Sequence, residues 1–136
     1  MIRKSLYTLT LVAAFAAFTS STPASAQAME SVVPFKVGTF AINDVPTVGL
    51  VLQDDKLIID LAAANRAMEL RPQYSAITMP KDMLGLIEQY GYGLKFRIYE
   101  VVNWLTEENL LSGSDRPSYV HPVGSVDIMA PIQYPS

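Results

Sequence analysis

His121 is the single histidine among 136 residues, and no cysteine accompanies it. A hydrolytic triad needs a nucleophile, a base and an orienting acid in mutual reach. His121 stands beside Pro122 with no partner at a telling spacing, and no serine sits in a G-x-S-x-G setting, so it reads as structural. Two carboxylate pairs come next. Asp54-Asp55 falls in a hairpin turn, where adjacent acids diverge, and Glu107-Glu108 closes a helix. Neither has the third ligand that a metal site wants, so both read as solvated. Gly91-Tyr92-Gly93 follows a helix instead of opening one and lacks the rest of any nucleotide fingerprint. No N-x-[ST] sequon occurs. The residue types predict no catalytic, metal-binding or cofactor-binding residue in this chain.

The amino terminus predicts export. Arg3 and Lys4 form a positive n-region, residues 6–18 an apolar stretch, and Ala24-Ser25-Ala26 a small-residue cleavage site. Cleavage is expected after Ala26, with a second register after Ala28. The apolar stretch is shorter than the roughly 20 residues of a membrane span, so no membrane association is expected once the leader is removed. Loss of Arg3 and Lys4 leaves 8 of the 10 basic residues against 13 acids, moving the net charge from −3 to −5. A mildly acidic chain without a basic stripe argues against nucleic acid and against anionic membranes. Without disulfides, an exported domain of this size must be held by its apolar core.

The expected organisation is 1–26 signal peptide, 27–34 connector, 35–130 domain and 131–136 the start of a linker. Residues 35–61 predict three antiparallel strands separated by turns at Asn43-Asp44 and Asp54-Asp55. Phe35, Val37, Thr39 and Ala41 alternate against Lys36, Gly38, Phe40 and Ile42. The near-continuous apolar run 47–53 predicts the central strand. Asp60 is placed to cap a helix that reaches about Leu70 and stops at Arg71-Pro72. Residues 73–79 read as a loop. Pro80 suits the first position of a second helix, whose buried face is expected from Met83, Leu84, Ile87 and Tyr90. The fold class is therefore α+β, a small antiparallel β meander with about three helices packed against it.

The third helix, about 94–106, has the clearest pattern. Leu94, Ile98, Val101, Val102 and Leu105 form one apolar stripe. Phe96, Tyr99 and Asn103 lie nearly opposite, with Tyr92 one turn earlier. Two apolar faces imply two neighbours. The second face, Tyr92, Phe96, Tyr99 and Asn103, is either packed inside the domain or a docking face for another body.

The ordered set KVGTF, VGLVL, IIDLAAA, DMLGLIEQYG and SVDIMAPIQYPS resembles the amino-terminal domain of the fumarylacetoacetate hydrolase family, bacterial branch. Its most specific pieces are Val48-Gly49-Leu50-Val51, Ile59-Asp60-Leu61-Ala62 and Asp127-Ile128-Met129-Ala130-Pro131-Ile132. The resemblance implies an accessory domain that precedes a coiled β-roll catalytic domain. In that absent domain, a glutamate–x–glutamate pair and an aspartate hold Mg²⁺ (or Mn²⁺ or Ca²⁺) for hydrolysis, decarboxylation or isomerisation of 2-oxo and 1,3-diketo acids. None of those ligands maps onto a position of this sequence. The leader departs from the family's mostly cytoplasmic habit. The expected partner is the chain's own missing carboxyl-terminal catalytic domain or another subunit; the alternative is a stand-alone periplasmic interaction or binding module without catalysis.

Overall fold

The computed structural model describes residues 30–131; the expected leader, its cleavage site and positions 132–136 of the expected linker lie outside the described residues. Five antiparallel strands form one sheet: β1 (Lys36–Ile42), β2 (Val45–Leu52), β3 (Leu57–Asp60), β4 (Val120–Pro122) and β5 (Asp127–Met129), in the order β4-β3-β2-β1-β5. The meander is present with its longest strand at the centre, and residues 120–129 supply both edges. Asn43 and Asp44 both adopt positive φ, at 51° and 62°. That is the two-residue turn whose twist matches a right-handed hairpin, and it fixes Ile42 opposite Val45.

The sheet is strongly coiled, as the β4–β5 link requires. Pro122 pairs with Leu57 at one end of the meander and Asp127 with Ala41 near the other. On a flat sheet those two residues would stand about 28 Å apart, from strand spacings of ~4.8 Å and a rise of ~3.3 Å per residue. The chain between them spans at most about 18 Å, and a 3₁₀ turn at Val123–Ser125 shortens it further. Coiling closes the gap and brings Val126 onto the concave face, against Phe40, Ile42 and Ile58. The first strand is therefore covered on both sides, where alternation alone predicts a half-buried strand. Gly49 makes room for this: a Cβ there would sit 2.7 Å from the Phe40 ring, so the ring lies over bare backbone.

The helices pack on the convex face. They are α1 (Leu61–Glu69), α2 (Met83–Gln89) and α3 (Lys95–Glu107). The Lys95 N–H reaches back to the Tyr90 carbonyl across a wide turn, Tyr90–Leu94, so α2 and α3 form one bent hairpin and two helical bodies cover the sheet. Asp60 caps α1, its carboxylate accepting from Ala63 N–H at 3.1 Å. The second helix begins later than Pro80 suggests. Asp82 is its N-cap, accepting from Gly85 N–H at 2.9 Å, which leaves Pro80 ahead of the helix.

That cap also sets the helix phase. Met83 and Leu86 are buried, whereas Leu84 and Ile87 are exposed, so the expected inward face is corrected at both positions. A seven-residue helix has room for only one inward stripe. The stripe of α3 is buried throughout, with Ile98, Val101, Val102 and Leu105 at 0 % exposure. It meets Leu50, Leu52, Ile59, Leu61 and Met68 in one continuous core.

Candidate functional site

The face opposite that stripe divides in two. Asn103 and Tyr99 are engaged by the chain's own residues ahead of β1. The Val32 N–H donates to Asn103 Oδ1 at 2.8 Å, and Asn103 Nδ2 donates to the Glu30 carbonyl at 3.0 Å. In an extended chain the carbonyl of one residue and the N–H two residues on point to the same side, so one carboxamide satisfies both, as a neighbouring strand would. Phe35 meets Tyr99 edge-on at 5.9 Å between ring centroids. The expected connector is therefore a strap fastened along α3. Phe96 touches Tyr99 at 6.3 Å and lies beneath the Lys95 ammonium, 5.0 Å from its centroid, yet it remains 41 % exposed. Tyr92, in the wide turn, is 93 % exposed. The strap runs from Tyr99 toward Asn103 as it is followed upstream, away from Phe96 and Tyr92.

Two of the acids singled out for chemistry stand in ion pairs. Asp55 pairs with Lys36 at 2.8 Å and Glu108 with Arg71 at 3.0 Å; both pairs are exposed, so each contributes little to stability. His121 lies on edge strand β4 opposite Ile58. Among the described residues no three His, Asp or Glu side chains gather in a way that could hold a metal ion.

A polar cluster with no signal in the motif search lies beside α1. Asn65 is 2 % exposed. Its amide donates to Glu69 Oε1 at 2.8 Å and to the Ile77 carbonyl at 3.0 Å, and Ile77 N–H donates to the same Glu69 oxygen at 2.7 Å. The Ile77 N–H bond holds the Glu69 carboxyl below the ordinary carboxylate range; partial desolvation opposes this, and Asn65, Arg97 and Arg66 reinforce it. The i, i+4 spacing of Asn65 and Glu69 was the only trace in the sequence, and such a pair normally reads as helix surface. Arg97, 3 % exposed, ties α3 to the same loop by donating from Nη2 to the Ser75 carbonyl, with Glu100 3.4 Å from its Nε.

The largest cleft among those described, about 640 Å³, lies over this cluster, between the first half of β2, α1 and the 76–81 loop. Its rim carries Arg66, Glu69 and Lys81, and its walls include Val48, Ala62 and Met79. It has the concavity of a binding site without a nucleophile and base in partnership.

The chain matched no family model, no curated protein and no solved structure. The fumarylacetoacetate hydrolase resemblance accordingly rests on the order and spacing of the motifs alone.

Proposed function

We propose that this chain is the accessory, non-catalytic domain of an exported fumarylacetoacetate-hydrolase-like protein, with the metal chemistry carried by a catalytic domain that these 136 residues do not include. The observation that carries the reading is the exposed apolar surface of the α2–α3 hairpin. Leu84, Ile87 and Phe96 are 50 %, 57 % and 41 % exposed, and Tyr92 stands almost fully in solvent. Scattered exposed apolar residues are ordinary; four on one short hairpin, two of them aromatic, suit a surface that meets another folded body. The partner in this reading is the catalytic domain of the same protein or another subunit, and the leader sends both out of the cytoplasm.

Reading the nucleotide sequence beyond codon 136 tests this. The proposal expects a lysine-isoleucine strand, a glycine-asparagine-tyrosine turn and the glutamate–x–glutamate pair in frame or in an adjacent gene. Their absence from every frame overturns the family assignment.

One observation favours a stand-alone interaction module instead. The core is closed on both faces of the sheet, by the helices on one side and Val126 on the other. A module of that kind is monodisperse, melts cooperatively and binds no hydrophobic dye, whereas an accessory domain stripped of its partner binds dye on the α2–α3 hairpin.

A further inference from the structure

The central strand is paired unevenly. β2 lies against β1 from Val45 to Val51 but against β3 only from Gly49 to Leu52. Its first half, about 13 Å long at ~3.3 Å per residue, therefore has a strand on one side only. Residues that flank a two-residue turn exchange hydrogen bonds, and Ile42 faces Val45. Counting from that pair, Thr47 and Gly49 turn their backbone groups toward β1, while Pro46, Val48 and Leu50 turn theirs the other way. Leu50 meets Ile59 there. The Pro46 carbonyl and the Val48 N–H have no strand beside them, because β3 ends at Asp60 and α1 begins at Leu61. Pro46 suits the position, since the N–H it lacks has no strand to meet.

The space alongside is open. The cleft of about 640 Å³ follows Val45 to Val48 and is bounded by α1 and by the 76–81 loop. An antiparallel strand laid in it would offer a carbonyl to the Val48 N–H and, two residues on, an N–H to the Pro46 carbonyl. Cross-strand neighbours share a face of the sheet. Those two residues would turn their side chains to the Val48 side, where Ala62 and Met79 supply apolar wall.

The charges of the cleft are not balanced within it. Its acids are engaged by the chain's own donors: Asp60 by the Ala63 N–H, and Glu69 by the Asn65 amide and the Ile77 N–H. The cations at the rim, Arg66 and Lys81, are both exposed, and neither side chain stands in an ion pair among the described residues. Arg66 acts on Glu69 only weakly and from a distance. An incoming carboxylate would meet positive charge that nothing else in the cleft has claimed.

We propose that the first half of β2 is a strand-addition site for an extended, acidic peptide segment of another protein. The segment adds antiparallel to β2, bonds the Val48 N–H and the Pro46 carbonyl, and sets its carboxylates against Arg66 and Lys81. Main-chain bonds give such a site its affinity, and the flanking charges choose among peptides. The argument does not use the family reading.

The probe is a capped hexapeptide, Ac-Glu-Val-Thr-Val-Thr-Glu-NH2, titrated into the ¹⁵N-labelled protein and followed by NMR. Saturable shifts at Thr47, Val48, Arg66 and Thr78 are expected by about 1 mM peptide. Methylating the two valine nitrogens, which face β2, should weaken binding at least tenfold, whereas methylating the two threonine nitrogens should not. Replacing both glutamates by lysine should also weaken it at least tenfold, as should Arg66→Gln with Lys81→Gln, two exposed positions where the fold is not at stake. No saturable shift overturns the proposal, as do shifts centred on Tyr92 and Phe96. Equal losses from the two methylation patterns overturn it, and so does a lysine peptide that binds as well. Shifts at the same residues on diluting the protein alone would assign the edge to a second copy, and binding that appears only after residues 132–136 are deleted would assign it to the chain itself; either result overturns the proposal.

Discussion

Asn103 and Val32 are separated by 71 positions in sequence and joined by a 2.8 Å hydrogen bond from the Val32 N–H to the Asn103 carboxamide oxygen. The other end of the same carboxamide holds the Glu30 carbonyl, so a single side chain pins the strap to α3. Asn103→Ala removes both bonds. The expected loss is about 1 kcal/mol of unfolding free energy in urea, together with fast hydrogen exchange at Val32. An unchanged exchange rate there would show that the strap is held by Phe35 alone.

Tyr99 and Phe96 differ in environment by more than their three-residue spacing suggests. Tyr99 is covered by Phe35, while Phe96, which meets the edge of Tyr99 and lies beneath Lys95, keeps its outer side in solvent. Phe96→Asp is expected to change stability by no more than about 0.5 kcal/mol. Tyr99→Asp, which sets a carboxylate against the Phe35 ring, is expected to cost about 2 kcal/mol or more. Equal costs in denaturant melts would contradict this division of the helix face.

Much of this architecture was legible in the sequence because it depends on local chemistry. Asn43-Asp44 makes its turn by taking up positive φ at both residues, Asp60 caps the helix that begins beside it, and the stripe from Leu94 to Leu105 needs only helical periodicity. The coiled sheet was not legible. It follows from the shortness of the 123–126 link and from the Phe40 ring lying over Gly49, both long-range facts. The inward face of α2 differs from the expected one because so short a helix turns a single stripe, Met83 and Leu86, to the core, and the equally apolar Leu84 and Ile87 lie off it. On the candidate site, the pattern marked Tyr92, Phe96, Tyr99 and Asn103 as one face; it carried no sign that residues 30–35 lie along half of it. The Asn65–Glu69 cluster was equally hidden, because its third member, Ile77, arrives on a loop.

Gly49 and Phe40 form a pair with a measurable coupling. A methyl at Gly49 would lie 2.7 Å from the Phe40 ring and 3.1 Å from Ile58 Cγ2. Gly49→Ala is expected to destabilise the protein by about 1–3 kcal/mol, and by clearly less in a Phe40→Leu background. Additive costs in the double-mutant cycle would show that the ring does not depend on bare backbone at this position.

Acid should loosen the 76–81 loop through Glu69. Its carboxyl is held below the ordinary range in the fold, chiefly by the Ile77 N–H, so the unfolded chain binds the proton more readily. Its contribution to stability is fully present above the unfolded carboxylate range of about 4.3 and is lost as pH falls through the lower folded value. Glu69→Gln keeps an acceptor for Ile77 but cannot titrate. Stability curves between neutrality and strong acid should therefore be flatter for that variant. Parallel curves would assign the acid sensitivity to other groups.

The central claim is that this chain supplies scaffold and surface while the reacting groups belong elsewhere. The most direct measurement is turnover of acylpyruvates by the pure chain loaded with Mg²⁺ or Mn²⁺. No rate above that of the metal alone is predicted; a metal-dependent rate that scales with protein concentration and survives repurification would contradict the account.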